Sequence, residues 1–220
     1  MLIKLYLFHI SNIMFAESIS PQPIFELLAD GLSNNGYAIA DHVFSLHDVL
    51  DILEEMRMQE HAFKKSGIGQ ANDYTVLHTR RGDYIKWLSM DTAPVVTKRY
   101  LHFVHELRQF LNRFCFLGLQ DLEAHFTKYP IGTRYVRHVD AFSKDDNRSI
   151  SVVFYINPSW KNGDGGELIL YPNNKNTPVE IAPIAGRLAV FESTIEHEVL
   201  PSLIERHSIT GWMLHEKRFF

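Results

Sequence analysis

Beyond Leu117 the sequence falls into short runs of β-branched and aromatic residues, each closed by Asn, Gly or Pro before a helix of ordinary length could form. About eight runs can be marked: 122–129, 135–140, 150–156, 167–171, 179–181, 187–191, 197–200 and 206–214. Short antiparallel strands in that number, following a helical start, predict an α+β chain whose core is a double-stranded β-helix. This is the jelly-roll or cupin-like architecture, here braced by N-terminal helices. No repeat, linker or low-complexity run divides the sequence. The expected organisation is an apolar leader over 1–20 and one domain over 21–220, with helical support from 21 to 117 and the β-helix from 118 to 216.

The helical half is legible from periodicity. Ile24, Leu27, Leu28 and Leu32 lie at helical spacing and Gly36 follows as a C-cap, a short strand at 37–40 comes next, and Ser45 can cap a second helix carrying Val49, Ile52, Leu53 and Met56. Its acidic residues Asp48, Asp51, Glu54 and Glu55 read as a solvated face. Pro94 heads a long packing helix with Tyr100, Val104, Leu107, Leu111 and Phe114 on one side. His102 and His105 beside it are not i, i+4 partners, so they do not read as a metal pair. The Gly-Ile-Gly loop at 67–69 lacks a preceding strand and a Lys-Ser/Thr pair, which excludes a phosphate cradle. Residues 1–16 are apolar but broken by His9, Ser11 and Asn12, too mixed for a membrane span and without a clear cleavage site; Met14 is an alternative start.

Composition removes several function classes. A net charge of −4 gives no general case for nucleic acid or an anionic membrane. Cys115 is the single cysteine, so no intramolecular disulfide can form, which fits a reducing cytoplasm; its apolar neighbours suggest a buried, inert thiol. The oligomeric state is not encoded in any visible pattern.

Chemistry is concentrated in two places. His138 and Asp140 form a His-x-Asp pair, which alternation in a strand places on one face, and His197 arrives from a distant run. Two imidazoles and one carboxylate make the facial triad of non-haem Fe(II) oxygenases, which leaves open positions for a keto acid and O2. Nine residues after His197 stands Arg206, whose guanidinium can hold a dicarboxylate by a bidentate fork, so the set points to 2-oxoglutarate as co-substrate. A chance His-x-Asp is expected in about every other chain of this composition, so the ordered set, and not the pair, carries the argument. Without His197, Arg206 would read as a surface cation on an edge strand. A cupin-like Zn or Ni site would use the same ligands but gives Arg206 and Tyr129 no task; a non-catalytic sensor of iron or 2-oxoglutarate would use all of them.

The stretch Thr79–Leu88 mixes charges and aromatics around Gly82, and from the residues alone it reads as a hairpin with an exposed tip. Taken with Tyr129-Pro, Tyr135-Val-Arg-His138-Val-Asp140, Arg148, Tyr155-Ile-Asn, Trp160, Gly165-Gly166-x-Leu168 and Arg206-x-x-Ile-Thr-x-Trp212, its Arg81-Gly-Asp-x-Ile-x-Trp87 segment resembles the prolyl 4-hydroxylase group of 2-oxoglutarate oxygenases. The resemblance is to the hypoxia-inducible-factor prolyl hydroxylases and their bacterial relatives, over about three fifths of the chain in the same order. It implies that His138, Asp140 and His197 bind Fe(II). It implies a 2-oxoglutarate pocket of Arg206, Tyr129, Tyr155, Leu168 and Thr210, and a substrate site of Arg81, Asp83, Trp87, Tyr135, Arg148 and Trp212. Ascorbate as reductant and a proline-bearing protein or peptide partner are implied too, a translation factor such as elongation factor Tu among the candidates. Asp140 fills the position that halogenases of this kind vacate, which favours hydroxylation; a free-amino-acid hydroxylase is the nearest rival. The turn between Tyr129 and Tyr135 is one residue shorter than in the animal enzymes, and their C-terminal tail has no counterpart before Phe220.

Overall fold

The computed structural model describes residues 21–67, 81–141, 147–173 and 175–216. The leader, Ile68 and Gly69 of the glycine loop, and Thr79 and Arg80 lie outside them. No helix among the described residues is long and apolar enough to cross a membrane.

Two antiparallel sheets face each other, as the strand pattern predicts. The larger runs in the order β1 (Tyr37–Ala40), β9 (Leu188–Glu192), β6 (Arg148–Tyr155), β11 (Arg206–Leu214), β4 (Asp121–Tyr129), β3 (Tyr84–Leu88), β2 (Lys64–Lys65). The smaller runs β5 (Tyr135–His138), β10 (Glu196–Val199), β7 (Leu168–Tyr171), β8 (Val179–Ile181). Helices α1 (Gln22–Asn35), α2 (Leu46–Arg57) and α3 (Val95–Cys115) cover the outer face of the larger sheet.

Because side chains alternate across a strand, the larger sheet supplies two separate cores. Phe126, Ile150, Val152, Phe154, Ile209 and Met213 point to the helices, where Tyr100 stacks on Phe154 with ring centroids 4.9 Å apart. Each such side chain contributes roughly 1.5–3 kcal/mol by leaving water. Tyr129, Val153, Tyr155, Ala189 and Phe191 point the other way and meet Leu168, Leu170 and Val199 of the smaller sheet. That inner cluster is the support on which the polar site rests.

Local chemistry explains the helix ends. Gly36, at φ 78°, closes α1, and Ser45 Oγ accepts from Asp48 N at 3.1 Å to open α2. Pro94 at the head of α3 has no capping side chain. Glu55 of α2 caps it instead, its carboxylate accepting from Val96 N at 2.9 Å and Thr97 N at 2.8 Å. The acidic side of α2 is therefore not wholly a solvated face, since Asp48 also pairs with Arg99 of α3.

Three further expectations are corrected. Asp140 lies beyond the end of β5; its backbone N–H donates to Ser193 O at 3.0 Å in place of a strand partner. Arg81 and Asp83 are not an exposed hairpin tip, because the stretch after them is β3, paired along β4, and Asp83 is buried. Cys115 is half-buried, 3.9 Å from Ser33 Oγ, and Phe114 turns outward.

Candidate metal and co-substrate centre

The pairing of β10 with β5 brings His197 directly opposite His138. Their rings are 4.2 Å apart, and with Asp140 they offer three ligand atoms within 4.8 Å of one another. Each imidazole is fixed by its own strand: Nδ1 of His138 donates to Val136 O at 2.8 Å, and Nδ1 of His197 to Ile195 O at 2.9 Å. A carbonyl only accepts, so the protons sit on Nδ1 and the bare Nε2 lone pairs point inward. They face the Asp140 carboxylate at 3.7 and 3.6 Å.

Lone pairs converging on a carboxylate repel unless a cation lies between them, and this donor set suits Fe(II). Burial, reinforced by His197, lowers the His138 pKa to about 3, so that ring is neutral and able to ligate. Burial opposes the charge on Asp140, but His197, His138 and the Ser151 hydroxyl, which donates at 2.7 Å, together hold its pKa below the ordinary value. Ser151 is in turn 2.9 Å from Ser193 Oγ, so both faces of the carboxylate's mount are tied down.

Deeper in the barrel, Arg206 is buried, with Nε donating to Gly166 O at 2.8 Å and its guanidinium 5.0 and 5.1 Å from the rings of Tyr129 and Tyr155. Among the described residues no carboxylate pairs with it within 4.0 Å. Tyr155 Oη is also buried and without a hydrogen-bond partner. A buried cation beside an orphaned hydroxyl calls for an anion, and the distal carboxylate of 2-oxoglutarate fits both. Gly166, at φ 79°, is required here: a Cβ would stand 3.1 Å from Arg206 Cδ and 3.0 Å from Ser202 Cβ.

The β4–β11 register sets the order of everything between. Arg206 pairs with Tyr129, Ser208 with Thr127, Thr210 with His125 and Trp212 with Glu123, all on the inward face. Thr210, expected at the co-substrate, accepts from Thr127 Oγ1 at 3.1 Å and is 3.3 Å from Ser208 Oγ. Leu168 packs in the inner cluster opposite Val199.

The expected substrate residues form two contact groups. Tyr135 stacks on His138 at 3.6 Å, the Arg81 guanidinium lies 4.7 Å over the Tyr135 ring, and Arg81 grips Asp83 with two bonds of 2.7 and 2.9 Å. Arg148 lies 3.7 Å over Trp212, which is 6.3 Å from Trp87. The expected residues thus fall into contact groups, Arg206 with Tyr129 and Tyr155, Arg81 with Asp83 and Tyr135, and Arg148 with Trp212 and Trp87, of which Tyr135 stacks on a triad ligand. Ser151, Ser193, Thr127, Ser208 and His125 were not anticipated. A lone Ser inside the apolar run 150–155 was the one available signal.

Residues 124–214 match the model of the 2OG-Fe(II) oxygenase superfamily. A prolyl-4-hydroxylase of Pseudomonas putida superposes with a TM-score of 0.79 at 33% identity, covering 87% of this chain and 99% of that one. The chain belongs to the 2OG-Fe(II) oxygenase superfamily, in its prolyl hydroxylase group. A Trichoplax adhaerens prolyl hydroxylase, solved with a peptide of the hypoxia-inducible-factor oxygen degradation domain, superposes with the same TM-score at 29% identity over 91% of this oxygenase and 96% of that chain. Human prolyl hydroxylase EGLN3 is 39% identical over 142 residues. That match takes in 60% of this oxygenase but only 58% of EGLN3, and a match to the hypoxia-inducible-factor prolyl hydroxylase of Caenorhabditis elegans takes in 12% of the worm protein.

Proposed function

We propose that this oxygenase hydroxylates a prolyl residue in a protein or peptide, converting 2-oxoglutarate and O2 to succinate and CO2 as one oxygen atom enters a C–H bond. The observation that carries the reading is the coexistence, within one barrel, of a cluster of two imidazoles and one carboxylate and a buried guanidinium that pairs with no carboxylate among the described residues. Fe(II) supplies the redox chemistry that reduces O2 and attacks an unactivated C–H bond. The protein positions the reactants. His138, Asp140 and His197 hold the metal; Arg206, with Tyr155 and Tyr129, receives the distal carboxylate and so fixes the keto-acid end toward the triad, with Thr210 and Leu168 lining the space between. Neutral Tyr155 suits that role, since burial raises its pKa.

Prolyl specificity is supported by the relatives and by the contacts of Arg81 with Asp83 and Tyr135, and of Arg148 and Trp87 with Trp212, the first group reaching His138. Of these, Tyr135 touches the metal ligand directly, so it is the residue against which a target ring would rest. Asp140 occupies the third ligand position, leaving no place for halide and favouring hydroxyl transfer. Ascorbate as reductant, a cytoplasmic location, a single oxygenase domain over 21–220 and a translation factor as the modified partner belong to the same proposal.

The test is incubation of the purified protein with Fe(II), ascorbate, 2-oxoglutarate and lysate proteins. A +16 Da shift on a proline, matched by succinate, is expected. Succinate coupled only to a free amino acid would move the reading to the small-molecule rival, and binding of both ligands without succinate would leave a sensor.

A further inference from the structure

Asn157 ends the Tyr155-Ile-Asn segment at the point where the β6–β11 ladder runs out. The last paired rung joins Tyr155 to Ser208, and Ile156 N still donates to His207 O at 3.2 Å. Beyond it the Asn157 side chain acts in place of a strand. Its Oδ1 accepts from His207 N at 2.6 Å, while Nδ2 donates to His207 O at 3.0 Å and to Pro183 O at 2.7 Å. Asn157 is buried, so water competes little for these bonds. One amide therefore holds both backbone groups of the residue next to Arg206 and ties them to the turn at 183–186, which is itself fastened to Tyr155 O by Gly186 N at 3.0 Å.

Arg206 needs such a mount. It pairs with Tyr129 on the β4 side, but the rungs to β6 begin only at Ser208, and on that side support continues through Ile156 N and the Asn157 amide. The Arg206 Nε is committed to Gly166 O at 2.8 Å, so its two Nη groups are the edge left for a carboxylate. A two-bond grip of that kind is made at one depth. A diacid whose keto-acid end is held at the triad meets the guanidinium only if its chain has the matching number of methylenes.

We propose that Asn157 is a positioning residue for Arg206 and, through it, a determinant of co-substrate chain length. By fixing where β11 begins, it sets how far the guanidinium stands from the triad, and so favours 2-oxoglutarate over the keto diacids one methylene shorter or longer. This rests on Arg206 as the anchor of the distal carboxylate and deepens that reading.

Anaerobic titration of the Fe(II)-loaded full chain with 2-oxoglutarate, oxaloacetate and 2-oxoadipate gives three dissociation constants. In the wild type 2-oxoglutarate is expected to bind about tenfold more tightly than either homologue, or better. Asn157→Ala should weaken 2-oxoglutarate by about tenfold while the two homologues change by less than about threefold, so that the preference collapses; Fe(II) affinity without a keto acid should move less than about twofold. Asn112→Ala is the matched control. Asn112 makes the same reciprocal clamp near the end of α3, Nδ2 donating to Leu119 O at 2.7 Å and Oδ1 accepting from Leu119 N at 2.6 Å, and its loss should leave the keto-acid preference unchanged. A preference within about twofold of wild type in Asn157→Ala, or an equal collapse in Asn112→Ala, would overturn the proposal and leave Asn157 a structural clamp. If Asn157→Ala does not fold, Asn157→Asp decides the matter: it keeps an acceptor for His207 N and lacks the amide donors, and an unchanged preference there also overturns the proposal. Should the wild type bind all three diacids alike, Arg206 is not the anchor, a result distinct from a selective wild type that is indifferent to Asn157.

Discussion

Replacing Arg81 by Met should be among the most damaging single changes outside the hydrophobic cores. Arg81 and Asp83 form a fork-on-fork pair of 2.7 and 2.9 Å, with the Arg81 side chain 15% exposed and Asp83 fully enclosed. The pair's net worth is small, because both charges lost their water on folding, but removing one partner strands the other and costs about 3–5 kcal/mol. At about 2–4 °C per kcal/mol for a chain of this size, the melting temperature should fall by roughly 6–20 °C. The double variant Arg81→Met, Asp83→Leu should be more stable than Arg81→Met alone, since no charge is left buried. Acid should narrow the gap between Arg81→Met and wild type. Arg81 lowers the Asp83 pKa against the effect of burial, so the pair's contribution is present above the unfolded carboxylate's pKa and is lost as pH falls through the lower, folded one. The stranded carboxylate of the variant is relieved by protonation in the same direction. Urea unfolding of the four proteins of this cycle, at neutral and acidic pH, measures both effects. A loss below about 1 kcal/mol in Arg81→Met, or a double variant as unstable as the sum of the singles, would refute the buried-pair argument. Peptide-stimulated turnover of the double variant then reports what the pair does for substrate once stability is restored.

Other outcomes follow from the same geometry. His138→Ala, Asp140→Ala and His197→Ala should each abolish the rise in melting temperature that saturating Fe(II) gives the wild type, about 2.7 kcal/mol at a hundredfold excess over Kd; an undiminished rise in any of them would remove that residue from the metal site. Arg206→Lys should raise the KM for 2-oxoglutarate by roughly 10- to 100-fold, because an ammonium cannot reproduce a planar two-bond grip, with metal binding kept. Tyr155→Phe should act in opposite directions, weakening 2-oxoglutarate binding by about tenfold while leaving the ligand-free protein as stable or more so, since the lost hydroxyl is an orphan in that state; equal losses in both would contradict it. Burial lowers the pKa of His125 and of His207 to about 4, so the unfolded chain binds their protons first. Stability of the metal-free protein should therefore decline as pH drops from about 6.5 toward 4, and His125→Leu should flatten that slope by up to about 1.4 kcal/mol per pH unit.

The parts of the site legible in the sequence were those written locally or in a fixed order. His138 and Asp140 are two residues apart, and Arg206 through Trp212 occupy one strand, so their residue types survive as a readable string. The run 206–214 matches its strand in full, but 135–140 stops at His138, because Asp140 finds its backbone partner in Ser193, far along the chain and invisible to local pattern. His125 was missed for a similar reason. Within Asp121–Tyr129 a lone His looks like one more member of a mixed strand, and only the pairing with Trp87 and Thr210 reveals that it is enclosed, with Nε2 left without a partner. Arg81 and Asp83 show the limit of charge as a guide: a basic and an acidic residue around a Gly suggest a solvated turn, whereas Gly82 lies so close to Thr133 that a Cβ would meet its side chain at 2.4 Å. The shape of that turn comes from a segment fifty residues downstream, and no local rule encodes it.

Strand β11 also restricts how such a chain can change over time. Its even-numbered residues from Arg206 to Trp212 face the barrel interior, and Ile209 and Met213 face the helices. Losing or gaining one residue inside this strand would exchange the two sets, sending a guanidinium and two hydroxyls into a greasy interior and bringing branched aliphatics to where a diacid must dock. Substitutions there can be sampled one at a time, but length cannot. Insertions and deletions in descendants of this sequence should accumulate at the turns, and β11 should keep its nine residues as other stretches grow and shrink.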